Sequence, residues 1–185
     1  MSPRKPTPAG GAAVDELLDP AFLEGAESLP MAEVRRLRRQ AEQEEVNLSY
    51  TRRLLQGRLD IVRRELQRRA DNDGRSLVDL LPEILAEKGR GPAHGLGRHQ
   101  TVQPSSPEEF ESWVNGLSDV DLSSIQELSD AKLERAARAL AEAEKGLSER
   151  RRGVQHVMDA LAGELGRRYR EGEADVAALL ADEGR

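Results

Sequence analysis

Residues 45–60 read EVNLSYTRRLLQGRLD, and residues 144–159 read EKGLSERRRGVQHVMD. Glu, Leu, Ser, two Arg, Gln and Asp recur in both at identical spacing. An offset of 99 residues lays Leu29–Ala70 over Leu128–Tyr169 without a gap, with 15 identities in 42 pairs. Besides the motif, these include Leu29/Leu128, Arg36/Arg135, Arg39/Arg138, Glu65/Glu164, Leu66/Leu165, Arg68/Arg167 and Arg69/Arg168. Shared apolar patterning would align Leu with Leu, but it would not align Ser, Gln and Asp. The chain contains an internal duplication.

Each copy lies in a long amphipathic segment. Val34, Leu37, Ala41, Leu48, Leu55, Leu59, Val62 and Leu66 are spaced mostly three and four apart or at sums of those steps, a coiled-coil-like seam. Pro30 suits the first turn of this helix, and Asp71-Asn72-Asp73-Gly74 ends it. Ser129 is placed as N-cap of the second long helix, with Leu128 and Leu133 as a hydrophobic staple. The predicted fold class is all-α: two long helices, about 30–70 and 129–170, form an antiparallel coiled-coil hairpin spanning 28–170.

Around the hairpin the sequence predicts a disordered N-terminus (1–14), a short apolar accessory helix (15–27) broken at Pro20, and an insertion (71–128). Within the insertion, Ser76–Lys88 reads as a broken helix and 89–107 as a mobile Gly/Pro/His/Ser-rich loop. Pro107–Asn115 and Asp119–Glu127 read as short helices. Residues 171–185 form a C-terminal tail, with a short helix or frayed end at 174–181. Leu17, Leu18, Phe22 and Leu23 either pack on the hairpin or meet a partner. Phe110 and Trp113 are small-core or partner anchors.

Composition narrows the function classes. Charged residues are 34% and aromatics 3%, which suits long helices sharing a narrow seam better than a compact mixed core. Cysteine is absent, so disulfides and thiolate metal sites are excluded. The start lacks a hydrophobic signal core and no apolar run reaches membrane-spanning length, so a cytoplasmic protein without membrane contact is expected. A net charge of −6 argues against general nucleic-acid binding. Arg outnumbers Lys 24 to four, which either reflects genome composition or serves planar, bidentate recognition of phosphate and guanine.

On a helix Glu45, Ser49, Arg52, Gln56 and Asp60 fall within an arc of about 80°, along roughly 22 Å, centred about 80° from the seam. Glu144, Ser148, Arg151, Gln155 and Asp159 repeat this. In an antiparallel pair the twofold axis lies perpendicular to the common plane, so both stripes share one face. Such a composite surface suits a ligand with its own twofold symmetry. Arg can bond guanine O6 and N7 or meet phosphate, and Asp or Glu can accept from guanine N1–H and the exocyclic amine. No nucleophile–base pair or metal cluster is present, and His94, His99 and His156 are scattered, so no catalytic site is expected. The bland alternative is a solvated face with Glu/Arg pairs, which fits one copy better than two in register.

At these residues, with Leu48-Ser49-Tyr50 and 54–60 (LLQGRLD) around the first copy, the sequence resembles the actinobacterial RsiG anti-sigma factors, also called aerial mycelium formation proteins. The resemblance covers the two long helices and the 77–87 segment. It implies an antiparallel coiled coil that binds a dimer of cyclic di-GMP through the ten residues above. So armed, such a protein holds a WhiG-type sporulation sigma factor away from RNA polymerase, without binding DNA itself. The competing readings are a coiled-coil adaptor that binds protein partners without nucleotide and an Arg-rich DNA-binding regulator, the latter opposed by the acidic total and the lack of a helix-turn-helix.

Overall fold

The computed structural model describes residues 11–71 and 103–172. Helices α1 (Gly11–Leu17) and α2 (Ala21–Glu24) and a 3₁₀ turn (Ala26–Ser28) precede the long helix α3 (Met31–Ala70). The second described stretch holds α4 (Pro107–Asn115), a second 3₁₀ turn (Leu122–Glu127) and the long helix α5 (Asp130–Arg170). No strand occurs among the described residues. The fold is the all-α hairpin that the periodicity predicts.

α3 and α5 run antiparallel. Arg35, near the start of α3, donates to the Tyr169 hydroxyl at the end of α5 (2.7 Å). At the opposite end Arg69 of α3 meets Asp130, the first residue of α5 (2.7 Å). Between these ends the seam closes. Val34, Leu37, Ala41, Leu48, Leu55, Leu59 and Val62 are buried with Leu133, Ala136, Leu140, Leu147, Val154, Val157, Leu161 and Leu165. Each fully buried aliphatic side chain contributes about 1.5–3 kcal/mol, so the seam, rather than helix propensity, holds the hairpin.

The short helices cover one side only. From Leu48 at the seam centre, Thr51, Leu54 and Arg58 turn to the flank opposite Glu45 and Arg52, at about 100° per residue. α4 packs on that flank. Phe110 and Val114 are buried, the Phe110 ring lies 6.3 Å from Tyr50, the Tyr50 hydroxyl donates to Glu111 (2.7 Å), and Arg58 bonds Asn115. α1 takes the equivalent place on α5. Arg150 donates to the Gly11 carbonyl (3.1 Å) and pairs with Asp15 (2.7 Å). A Cβ on Gly153 would stand 2.5 Å from Leu18 Cδ2, so this glycine makes room for the Leu18 side chain just past the end of α1. One face of the hairpin is thereby covered, and among the described residues no short helix lies on the face with both stripes.

Several details differ from expectation. Gly11–Val14, expected in the disordered start, belongs to α1, because Val14 and Leu17 bury against the hairpin and Arg150 anchors Gly11; Ala12 and Ala13 favour helix, and docking fixes the helix they allow. The accessory helix expected over 15–27 is two short helices and a turn, interrupted around Asp19, whose carboxylate accepts from the Ala21 amide (2.8 Å). Leu17 is buried, and Leu18, Phe22 and Leu23 pack partly buried against the core, so this segment packs on its own chain. Asp119–Glu127 yields only a 3₁₀ turn, capped by Asp121 and broken by non-helical geometry at Ser124. Ser129 holds the N-cap position without a side-chain capping bond. Of the expected loop, 103–106 precede α4, with Ser105 tied to the buried Asn47 (amide to Oδ1 2.9 Å). Residues 1–10, the broken helix at 76–88, loop residues 89–102 and the tail from 173 lie outside the described residues.

Candidate functional site

The two stripes meet across the open face through opposite-copy pairs. Arg151 of α5 reaches Glu45 of α3 (Nη1 to Oε1 3.0 Å), and Arg52 of α3 reaches Glu144 of α5 (3.6 Å). Gln155 donates to Glu45 (3.2 Å), and Gln56 donates to Glu144 (3.0 Å). On its own helix each Glu also accepts from the serine one turn on: Ser49 to Glu45 (2.9 Å) and Ser148 to Glu144 (3.0 Å). Two clusters result, each built from Glu and Ser of one helix and Arg and Gln of the other.

These clusters are exchanged by the same offset of 99 residues that aligns the sequence. Eight of the ten stripe residues are brought together in this way. Asp60 and Asp159 stand one turn beyond the glutamines at the outer ends of the stripes, half-buried and exposed respectively. The paired side chains are 20–29% exposed, so water and a ligand reach them. The Nε atoms of Arg52 and Arg151 are buried and meet no hydrogen-bond acceptor. Each cluster thus holds a guanidinium and a carboxylate side by side, with hydroxyl and amide donors around them. That is an array for planar polar groups and anions rather than for bond-breaking chemistry. No group of His, Asp and Glu able to hold a metal ion occurs among the described residues.

A second duplicated device fixes the register on which these crossed clusters depend. Arg69 donates to the carbonyls of Ile125 (3.1 Å), Gln126 (3.0 Å) and Leu128 (2.6 Å), in the turn that leads into α5. Arg168 donates to Ala26 (3.0 Å), Glu27 (3.0 Å) and Leu29 (2.6 Å), in the turn that leads into α3. Each carbonyl is the 99-residue equivalent of its counterpart. Glu65, fully buried, bonds Arg68 and Arg69, and Glu164 bonds Arg167 and Arg168. The Arg167 and Arg168 hydrogen bonds lower the Glu164 pKa to about 2, and the Arg68 bond, with help from Arg69, lowers that of Glu65. In the sequence these residues show only as matched identities, with no role attached. The signal was a repeated acid-x-x-Arg-Arg at the end of each long helix.

Fold and face together define a class: an antiparallel helical hairpin with a duplicated, crossed polar site on the face opposite α1 and α4. The chain belongs to the RsiG-like family, whose model matches residues 20–85 and 119–183. The two matched segments start 99 residues apart, the offset of the repeat. This is a family of anti-sigma-factor type and not an enzyme family. A comparison with curated proteins gives no match. Among the described residues no helix is long and apolar enough to cross a membrane.

Proposed function

We propose that this chain binds cyclic di-GMP, as a dimer, on the face that carries both stripes, and in that state sequesters a WhiG-type sporulation sigma factor in the cytoplasm. The observation that carries the reading is the crossed pair of clusters, Arg151 with Glu45 and Arg52 with Glu144, related by the pseudo-twofold of the hairpin. Cyclic di-GMP is itself twofold symmetric, guanine-bearing and anionic. A guanidinium can take guanine O6 and N7 or a phosphate, and a carboxylate can accept from N1–H and the exocyclic amine.

Ligand entry has to loosen the resting ion pairs. Partly exposed pairs of this kind contribute about 0–1 kcal/mol, so opening them costs little against the charged hydrogen bonds that replace them. Among the described residues α1 and α4 lie on the opposite face, which leaves a bound nucleotide accessible to a second protein. The sigma factor would then read nucleotide and hairpin together, which makes its capture depend on the ligand. Co-purification of the two proteins with and without cyclic di-GMP tests this. Equal recovery without nucleotide, and with Arg151→Ala, would favour a nucleotide-independent adaptor instead.

A further inference from the structure

The ten stripe residues contain four carboxylates, Glu45, Asp60, Glu144 and Asp159, against two guanidiniums, Arg52 and Arg151, a formal charge of −2. Both guanidiniums already face a carboxylate of the other helix. A ligand that brings phosphodiesters to this face therefore meets net like charge, which repels even through water. The stripe can sort hydrogen bonds, but it cannot by itself balance a polyanion.

The duplication places one further cation directly beside each stripe. Arg53 and Arg152 follow Arg52 and Arg151, about 60° outward from the stripe centre on the open side. Each stands four residues after the motif serine and three before the motif glutamine, so its side chain borders both. Both residues are exposed, and neither is in an ion pair among the described residues. Arg152 leans back toward the stripe, its Nε donating to the Ser148 carbonyl (3.3 Å). Other candidates lack this symmetry or this position. Arg38 and Arg63 lie along the α3 stripe line, but their equivalents on α5 are Ala137 and Ala162. Arg39 and Arg138 point directly away from the seam, about 100° from the stripe centre.

We infer that Arg53 and Arg152 are ligand-binding residues outside the motif, an outer pair of cations that take phosphate groups and bring the face to charge balance. This rests on the nucleotide reading above. The test uses the full chain, cyclic di-GMP as probe, and titrations over a range of salt concentrations, alone and with the sigma factor. Arg53→Gln/Arg152→Gln should weaken binding about tenfold at low salt and flatten its dependence on added salt. Arg53→Lys/Arg152→Lys should recover most of the affinity and the slope. Helicity and melting temperature should not change, because both side chains are exposed. Unchanged affinity and salt slope in the Gln pair would overturn the inference, as would a Lys pair as weak as the Gln pair. If the wild-type chain binds no cyclic di-GMP in either setting, the nucleotide reading itself fails, an outcome separate from either of these.

Discussion

Arg168→Ala probes the device that holds the two half-sites in register. Arg168 is 5% exposed, and its guanidinium serves three main-chain carbonyls and the Glu164 carboxylate. Removing one partner of a buried charged network costs about 3–5 kcal/mol. Glu164 keeps Arg167, and water can enter at the hairpin end, so the lower value, about 3 kcal/mol, is expected here. For a chain of this size that corresponds to a fall of roughly 6–12 °C in melting temperature. Arg69→Ala should cost about half as much, because its side chain is 20% exposed and water can replace more of its bonds. Arg138→Ala, at a surface pair of 3.7 Å whose Arg side chain is 70% exposed, is the control and should change stability by less than about 0.5 kcal/mol. Thermal and urea unfolding followed by far-ultraviolet circular dichroism measures all three. An Arg168→Ala variant within about 1 kcal/mol of wild type would refute the view that these clamps secure the hairpin ends.

Arg52→Ala and Arg151→Ala should each weaken cyclic di-GMP binding roughly 10- to 100-fold, the effect of a lost charged hydrogen bond, while helicity is retained. In double-mutant cycles on ligand binding, Arg151 should couple to Glu45 and Arg52 to Glu144, and coupling within one linear motif copy instead would contradict the crossed clusters. Acid should destabilise the hairpin: the folded-state pKa of Glu164 is depressed to about 2, so its contribution is present above about 4.5 and is lost as pH falls from there toward 2. Melting curves over that range should show the loss, and Glu164→Gln should flatten it. Leu161→Ala, at a fully buried seam position, should destabilise by about 2–5 kcal/mol in urea titrations.

Much of the fold was legible because the long helices obey a single local rule. Seam residues from Val34 to Val62 recur at helical spacing, and a narrow apolar stripe can be buried only against another of its kind. The shared face of the two stripes also followed from geometry, given an antiparallel pair. What the sequence hid is what depends on distance across the hairpin. No local pattern reveals that Glu45 is approached by Arg151 rather than by Arg52 of its own motif copy. The clamps were visible only as matched identities, since their acceptors are backbone carbonyls, and a carbonyl leaves no trace in residue type. At the N-terminus composition misled. Gly11–Val14 follows a Pro-rich start that hides it, yet burial of Val14 and Leu17 on the hairpin makes it helical.

The central claim is that the crossed clusters are a single site for a symmetric guanine dinucleotide. Calorimetric titration of the full chain with cyclic di-GMP, with GTP and cyclic di-AMP as controls, repeated in the presence of the sigma factor, tests it most directly. The account predicts saturable binding of cyclic di-GMP alone among the three, with two nucleotides per chain and loss of both together when either Arg52 or Arg151 is replaced by alanine. No binding with or without the sigma factor, or a variant that keeps one independent nucleotide at full affinity, would contradict it.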